Sequence, residues 1–214
     1  SLSVSAVELP QPLAASEIRR LNTSGGVAGA PVGSTRVYGN DINPITTYWV
    51  PGTNQRMADD LTLANGPCNL VYYNLAVFAP SGAYNIHTEL WTDDPCLPGA
   101  TAIADTAADF NVPNNPVDVY LLEAEITGSA IPIPETVWLA ATFSTDNSGW
   151  IIAQQAEIGS TGNLYSENDT ERNPDVCGQF FFTCNPTYLG FWAEIFCETT
   201  VPPDGACCNG TNCS

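Results

Sequence analysis

Residues 137–158 constrain the fold more than any other stretch. They read Val-Trp-Leu-Ala-Ala-Thr-Phe-Ser-Thr, then Asp-Asn-Ser-Gly, then Trp-Ile-Ile-Ala-Gln-Gln-Ala-Glu-Ile. Val137, Leu139, Ala141 and Phe143 recur at every second residue. Trp150, Ile152, Ala156 and Ile158 keep the same period, with Gln154 as the polar exception. A two-residue apolar period places side chains on one face of a strand, not on one stripe of a helix. The Asp, Asn, Ser and Gly between the halves are residues that reverse a chain at low cost. The stretch predicts a β-hairpin whose arms are apolar enough to lie inside a sandwich.

The same period recurs along the body. In 69–78, Val71, Tyr73, Leu75 and Val77 share a face. In 83–91, Tyr84, Ile86, Thr88 and Leu90 oppose Asn85, His87, Glu89 and Trp91. In 117–126, Tyr120, Leu122, Ala124 and Ile126 point inward, and Glu123 and Glu125 outward. In 189–197, Leu189, Phe191, Ala193 and Ile195 align. Shorter strands are predicted at 36–38, 46–50, 57–64 and 179–183, with most of 159–187 as loop. Many short strands with regular turn signals predict an all-β, two-sheet antiparallel sandwich of jelly-roll type. The body spans 34–198, preceded by an extended arm, 1–33, and followed by a cysteine-rich tail, 199–214. Within the arm, 1–7 alternates as a strand would, Pro10 and Pro12 break the ladder, 14–21 suits a short helix, and the Gly/Ala/Ser-rich 23–33 reads as a linker.

Charge narrows the function classes. The chain has 23 acidic residues against five arginines and no lysine, a net charge of −18. Nucleic-acid binding needs a cationic surface, and anionic membranes repel such a chain. No run approaches the ~20 apolar residues of a membrane span, so no membrane insertion is expected. The start at Ser1 rather than Met is the form a trimmed secreted chain takes. Without lysine, Lys–Asn amide cross-links cannot form.

Eight cysteines point to an oxidising compartment, extracellular or at the cell surface. Cys68, Cys96, Cys177, Cys184 and Cys197 lie in the body; Cys207, Cys208 and Cys213 lie in the tail. Both counts are odd. If all eight are oxidised within one chain, at least one bridge ties tail to body. Zinc is disfavoured, because no Cys-x-x-Cys occurs and His87 is the single histidine. Asn22, Asn168, Asn209 and Asn212 each open an Asn-x-Ser/Thr glycosylation triplet.

Several stretches resemble a group of secreted bacterial β-sandwich modules of unknown function. They are Ala-Asp-Asp-Leu-Thr-Leu from Ala58, Thr-Glu-Leu-Trp-Thr-Asp from Thr88, the strand from Val137, Gly-Trp-Ile-Ile-Ala from Gly149, and Gly-Phe-Trp-Ala-Glu-Ile-Phe-Cys from Gly190. Gly-Ala-Cys-Cys from Gly205 is similar to a cysteine-rich element that follows such modules. The resemblance covers roughly residues 38–214 and implies a fold, with no catalytic residue to carry over. In those modules a cysteine directly follows the Trp-Thr-Asp, whereas Asp94 and Pro95 precede Cys96 here, so no disulfide pairing is carried over.

Candidate sites are few. Asp59-Asp60 and Asp93-Asp94 are the candidate calcium ligands, since calcium gathers six to eight oxygens from separate loops; solvated turn acids are the plainer reading. No cofactor is otherwise expected. Trp91 and Trp138 lie opposite the apolar stripes, where an indole can stack on a sugar ring. His87 has no nucleophile motif beside it, and the strand glutamates show no defined acid–base pair, so no enzyme is expected. The reading is an extracellular structural protein whose partners are copies of itself, with Leu2, Val4 and Ala6 forming the apolar face of an assembly strand. The alternative is a secreted carbohydrate-binding or adhesion module with glycans as ligands.

Overall fold

A computed structural model describes residues 14–20, 31–40, 44–79, 84–112, 118–168, 177–181 and 190–199. Fifteen strands follow one another among the described residues: β1 Ala14–Arg20, β2 Ser34–Gly39, β3 Pro44–Trp49, β4 Gln55–Thr62, β5 Cys68–Ala79, β6 Tyr84–Trp91, β7 Ala108–Val112, β8 Asp118–Ile126, β9 Ile131–Ile133, β10 Thr136–Phe143, β11 Gly149–Ala153, β12 Ser160–Asn168, β13 Cys177–Phe181, β14 Gly190–Phe191 and β15 Ala193–Glu198. No helix occurs among the described residues.

The strands form two antiparallel sheets packed face to face. The larger runs β1-β8-β5-β11-β14; β15 joins β5 and carries β2, β3 joins β11, and β9 joins β5. The smaller runs β13-β12-β4-β10-β6-β7. Alternation sends Tyr73, Leu75, Val77, Leu122, Trp150, Phe191 and Ile195 into the core from the large sheet. Met57, Leu61, Ile86, Leu90, Phe110, Leu139 and Phe143 meet them from the small one. Each large apolar side chain buried this way is worth about 1.5–3 kcal/mol, so the period-two pattern and the sandwich are two views of one free-energy term.

Residues 137–158 are not a hairpin. β10 pairs with β4 and β6 in the small sheet, whereas β11 pairs with β5, β3 and β14 in the large one. The turn at 144–148 is an arch between sheets. Both arms are apolar toward the same core, and that periodicity is satisfied equally by neighbours in one sheet and by strands facing each other across a sandwich. The second arm ends early, at Ala153.

Three further expectations need correction. The helix expected over 14–21 is strand β1, antiparallel to β8 from Ala14↔Ile126 to Arg20↔Tyr120. A helix this short is marginal alone, and pairing with β8 satisfies its backbone instead. The loop expected over 159–187 contains the nine-residue β12. Val71 does not share a face with Tyr73, Leu75 and Val77. In the pairing of β5 with β15 the register slips, Phe196↔Tyr72 then Cys197↔Leu70, so Val71 is the extra residue of a bulge. Leu70 enters the core, and Val71 packs on the opposite face.

Candidate functional site

The outer face of the small sheet carries most of the candidates. Register sets Trp138 between Asp60 and Trp91, Ala140 between Ala58 and Glu89, and Thr142 between Arg56 and His87. Trp91 and Trp138 therefore meet over the small side chains Ala58 and Ala140. The faces of these indoles are not open. Trp138 is only 8% exposed. The Arg56 guanidinium lies 4.7 Å from the centre of the Trp91 ring and donates to the Pro95 carbonyl at 3.1 Å.

His87 stands beside this cluster. Its Nδ1 meets Asp109 at 2.8 Å and its Nε2 faces Glu89 at 3.8 Å. These carboxylates, Glu89 first and then Asp109, outweigh partial burial and raise its pKa to about 9. Partial burial works against the Glu89 carboxylate, but His87, Trp91 and Arg56 together hold it below its ordinary range. The result is a row of ionisable groups from Asp109 through His87 and Glu89 toward Arg56, whose arrangement favours the imidazolium form of His87.

Asp59 and Asp60 follow a different logic. Asp59 is fully buried. Its Oδ2 accepts the Phe191 N–H at 2.8 Å, and its Oδ1 lies 3.3 Å from Thr161 Oγ1. Burial, then the charge of Asp60, pushes its pKa well above the usual range. Asp60 lies opposite a bulge in β12, where the register jumps from Thr161↔Leu61 to Tyr165↔Asp59. The bulge frees the Gly162 N–H from the ladder, and both Asp60 oxygens receive it, at 3.1 and 3.2 Å. Burial raises Asp60 to about 6.

Asp93 is exposed, while buried Asp94 accepts the Cys96 N–H at 2.9 Å and so orders its own loop. Among the described residues no three His, Cys, Asp or Glu side chains are disposed to hold a metal ion.

Two disulfides form among the described residues. Cys68–Cys197 joins β5 to β15 inside the large sheet, and Cys96–Cys177 ties the loop after β6 to β13 at the edge of the small sheet. Of the glycosylation candidates, Asn168 is the last residue of β12. Asn22, Asn209, Asn212, Cys184, Cys207, Cys208 and Cys213 lie outside the described residues, as do Leu2, Val4 and Ala6.

Sequence reasoning missed the outer face of the large sheet. Tyr72, Ala76, Leu121, Ile151, Trp192 and Phe196 form a second buried apolar cluster there. A polar row crosses it: Glu194 opposite Asn74, and Asn74 opposite Glu123. Glu194 accepts from Arg36 at 2.7 Å and from Asn74 at 2.9 Å; Tyr72 donates a short hydrogen bond to Glu123. Glu123 and Glu194 are thus buried network members, not solvated strand glutamates. The available signal was the near-continuous apolar run of β5, Leu-Val-Tyr-Tyr-Asn-Leu-Ala-Val-Phe-Ala, which suits a strand covered on both faces.

The sheet edges complete the geometry. Among the described residues β1 pairs only with β8, and β7 only with β6. These two edge strands contact each other along one side of the sandwich. The segment 1–13 leads directly into β1. No protein-family model matches the chain, and no curated protein matches it.

Proposed function

We propose that this is an extracellular structural protein that assembles with copies of itself, the segment ahead of β1 adding as a strand to a neighbour's sheet edge. The observation that carries this reading is the position of β1. It is an edge strand, bonded on one side among the described residues. An open edge is a template for another strand, and the alternating Ser-Leu-Ser-Val-Ser-Ala of 1–6 is a strand-like sequence that precedes β1 in the chain. An extended chain spans up to ~3.3–3.6 Å per residue, so thirteen residues are long enough to span the distance to a neighbouring subunit. Contacts of this head-to-tail kind build filaments when they do not close into rings. Two disulfides agree with an oxidising compartment, and the charge of −18 keeps the free subunit soluble. Negative-stain microscopy of native material tests the reading: filaments or a regular matrix are expected, and dispersed single particles at high concentration would oppose it.

The carbohydrate-binding alternative draws support from Trp91 and Trp138 lying side by side on a sheet face with Arg56, His87 and Glu89 around them. Against it, Arg56 occupies one face of the Trp91 ring. Glycan-array binding lost in Trp91→Ala or Trp138→Ala would favour it over assembly.

A further inference from the structure

A chain without lysine cannot make amide cross-links between side chains of the Lys–Asn kind, but a hydroxyl and a carboxyl can condense. The core holds such a pair. Thr161 on β12 and Asp59 on β4 are 102 residues apart in sequence, yet Thr161 Oγ1 is 3.3 Å from Asp59 Oδ1. Asp59 is fully buried and Thr161 is 8% exposed. The Phe191 N–H donates to Asp59 Oδ2 at 2.8 Å, which makes Oδ2 the carbonyl oxygen and leaves Oδ1 as the hydroxyl of a neutral acid. A second carboxylate, Asp60 Oδ1, lies 3.5 Å from the same threonine oxygen. Gly190 lets the β14 backbone close over the pair: a Cβ there would sit 2.8 Å from Thr161 Cγ2 and 3.1 Å from Asp59 Oδ2.

We propose that Thr161 and Asp59 condense into an ester that joins β12 to β4. Thr161 Oγ1 attacks Asp59 Cγ while Asp60 takes the hydroxyl proton. The negative charge that develops on Oδ2 is met by the Phe191 N–H, the role of an oxyanion donor. The intermediate collapses with loss of Oδ1, which leaves as water carrying its own proton and the one returned by Asp60. One Cγ–Oγ1 bond forms, one Cγ–Oδ1 bond breaks, and no oxidant or co-reactant is needed. Two features favour the ester over the free groups. Fixed neighbours react with effective molarities of order 10⁵–10⁸ M, and a closed site slows the return of water for hydrolysis. Burial and the charge of Asp60 favour the neutral, electrophilic form of Asp59, while Asp60 with its pKa of about 6 can exchange a proton near neutrality.

The test is the mass of the wild-type protein, folded at about pH 6, then reduced, deglycosylated and digested. Expected are an intact mass lower by one water than the sequence requires, a peptide joining the segments around Asp59 and Thr161, and its cleavage by hydroxylamine. Thr161→Ser should keep the link and Thr161→Val should lose it. Two separate, unmodified peptides from the folded wild-type protein would overturn the proposal, whatever the variants do.

Discussion

Asn40 offers a quantitative test of how the large sheet is held together. The sheet is interrupted at Trp192, between β14 and β15. Asn40 bridges the interruption from the end of β2: its amide N–H donates to the Phe191 carbonyl at 2.5 Å, and its Oδ1 accepts the Ala193 N–H at 2.7 Å. It is 2% exposed, so water does not replace it. Asn40→Ala removes both of these buried hydrogen bonds, one at a main-chain acceptor and one at a main-chain donor. Each unsatisfied group costs about 1–3 kcal/mol, so a loss of about 2–5 kcal/mol is expected after partial relaxation. That is a large share of a typical stability of about 5–15 kcal/mol. Urea denaturation followed by tryptophan fluorescence measures it. Asn40→Asp supplies a control, because its second oxygen would face the Phe191 carbonyl with no proton to share. The aspartate variant should therefore regain stability on acidification, when its carboxyl protonates. If Asn40→Ala costs less than about 1 kcal/mol, the bridge does not hold the sheet and the reasoning fails.

Three other perturbations follow from the geometry. Asp60 has a folded pKa of about 6 against an ordinary 3.8, so between those values the native state binds more protons than the unfolded one, and stability should fall as pH rises through that window. Urea midpoints across pH should show that slope in the wild type and a weaker one in Asp60→Asn. His87, raised from 6.5 to about 9, contributes stability that is complete below 6.5 and lost as pH rises through about 9. Its side chain is 40% exposed, so the effect should be small, and His87→Gln should flatten the alkaline limb. In the core, Phe143→Ala should cost about 3–5 kcal/mol through a cavity that neighbouring strands cannot close. Finally, non-reducing peptide mapping should recover Cys68–Cys197 and Cys96–Cys177. With all eight cysteines oxidised in one chain, the remaining four leave Cys184 to pair with Cys207, Cys208 or Cys213, and recovery of all four as free thiols would contradict a fully oxidised protein.

The inward faces were legible because period two is a local property. Tyr84, Ile86, Thr88 and Leu90, or Val137, Leu139, Ala141 and Phe143, announce a buried face whatever their partners are. Partnership is not local, and that is where reading the sequence failed. The turn at 144–148 looks like a hairpin turn, yet β10 and β11 belong to different sheets, a choice made by β4, β6 and β5 far away in sequence. β1 was obscured because Ala-Ala-Ser-Glu-Ile-Arg-Arg has good helical propensity, which pairing with β8 overrides. Bulges defeat strict alternation too: Val71 carries the right residue type in the right period but on the wrong face.

Site chemistry was less legible still. Asp59 and Asp60 were visible as an acidic pair, but nothing in the sequence says that one is fully buried with its pKa pushed up by burial, while the other receives the N–H of a bulge 102 residues away. Trp91 and Trp138 face away from the core stripes, but they are not the exposed indoles expected there: Trp138 is buried, and the cover that Arg56 gives Trp91 depends on cross-strand register. Glu123 and Glu194 gave no warning at all, because a charged residue on an outward strand position is ordinary until the outer face itself is covered.

The central claim, assembly through the segment ahead of β1, is tested most directly by removing residues 1–12 and measuring molar mass by light scattering alongside electron microscopy. The truncated protein retains β1, both described disulfides and the whole described core, so circular dichroism should report an intact β fold. The full chain should form concentration-dependent assemblies, and the truncated chain should be a folded monomer. Assemblies of normal mass and shape from the truncated, folded chain would contradict it.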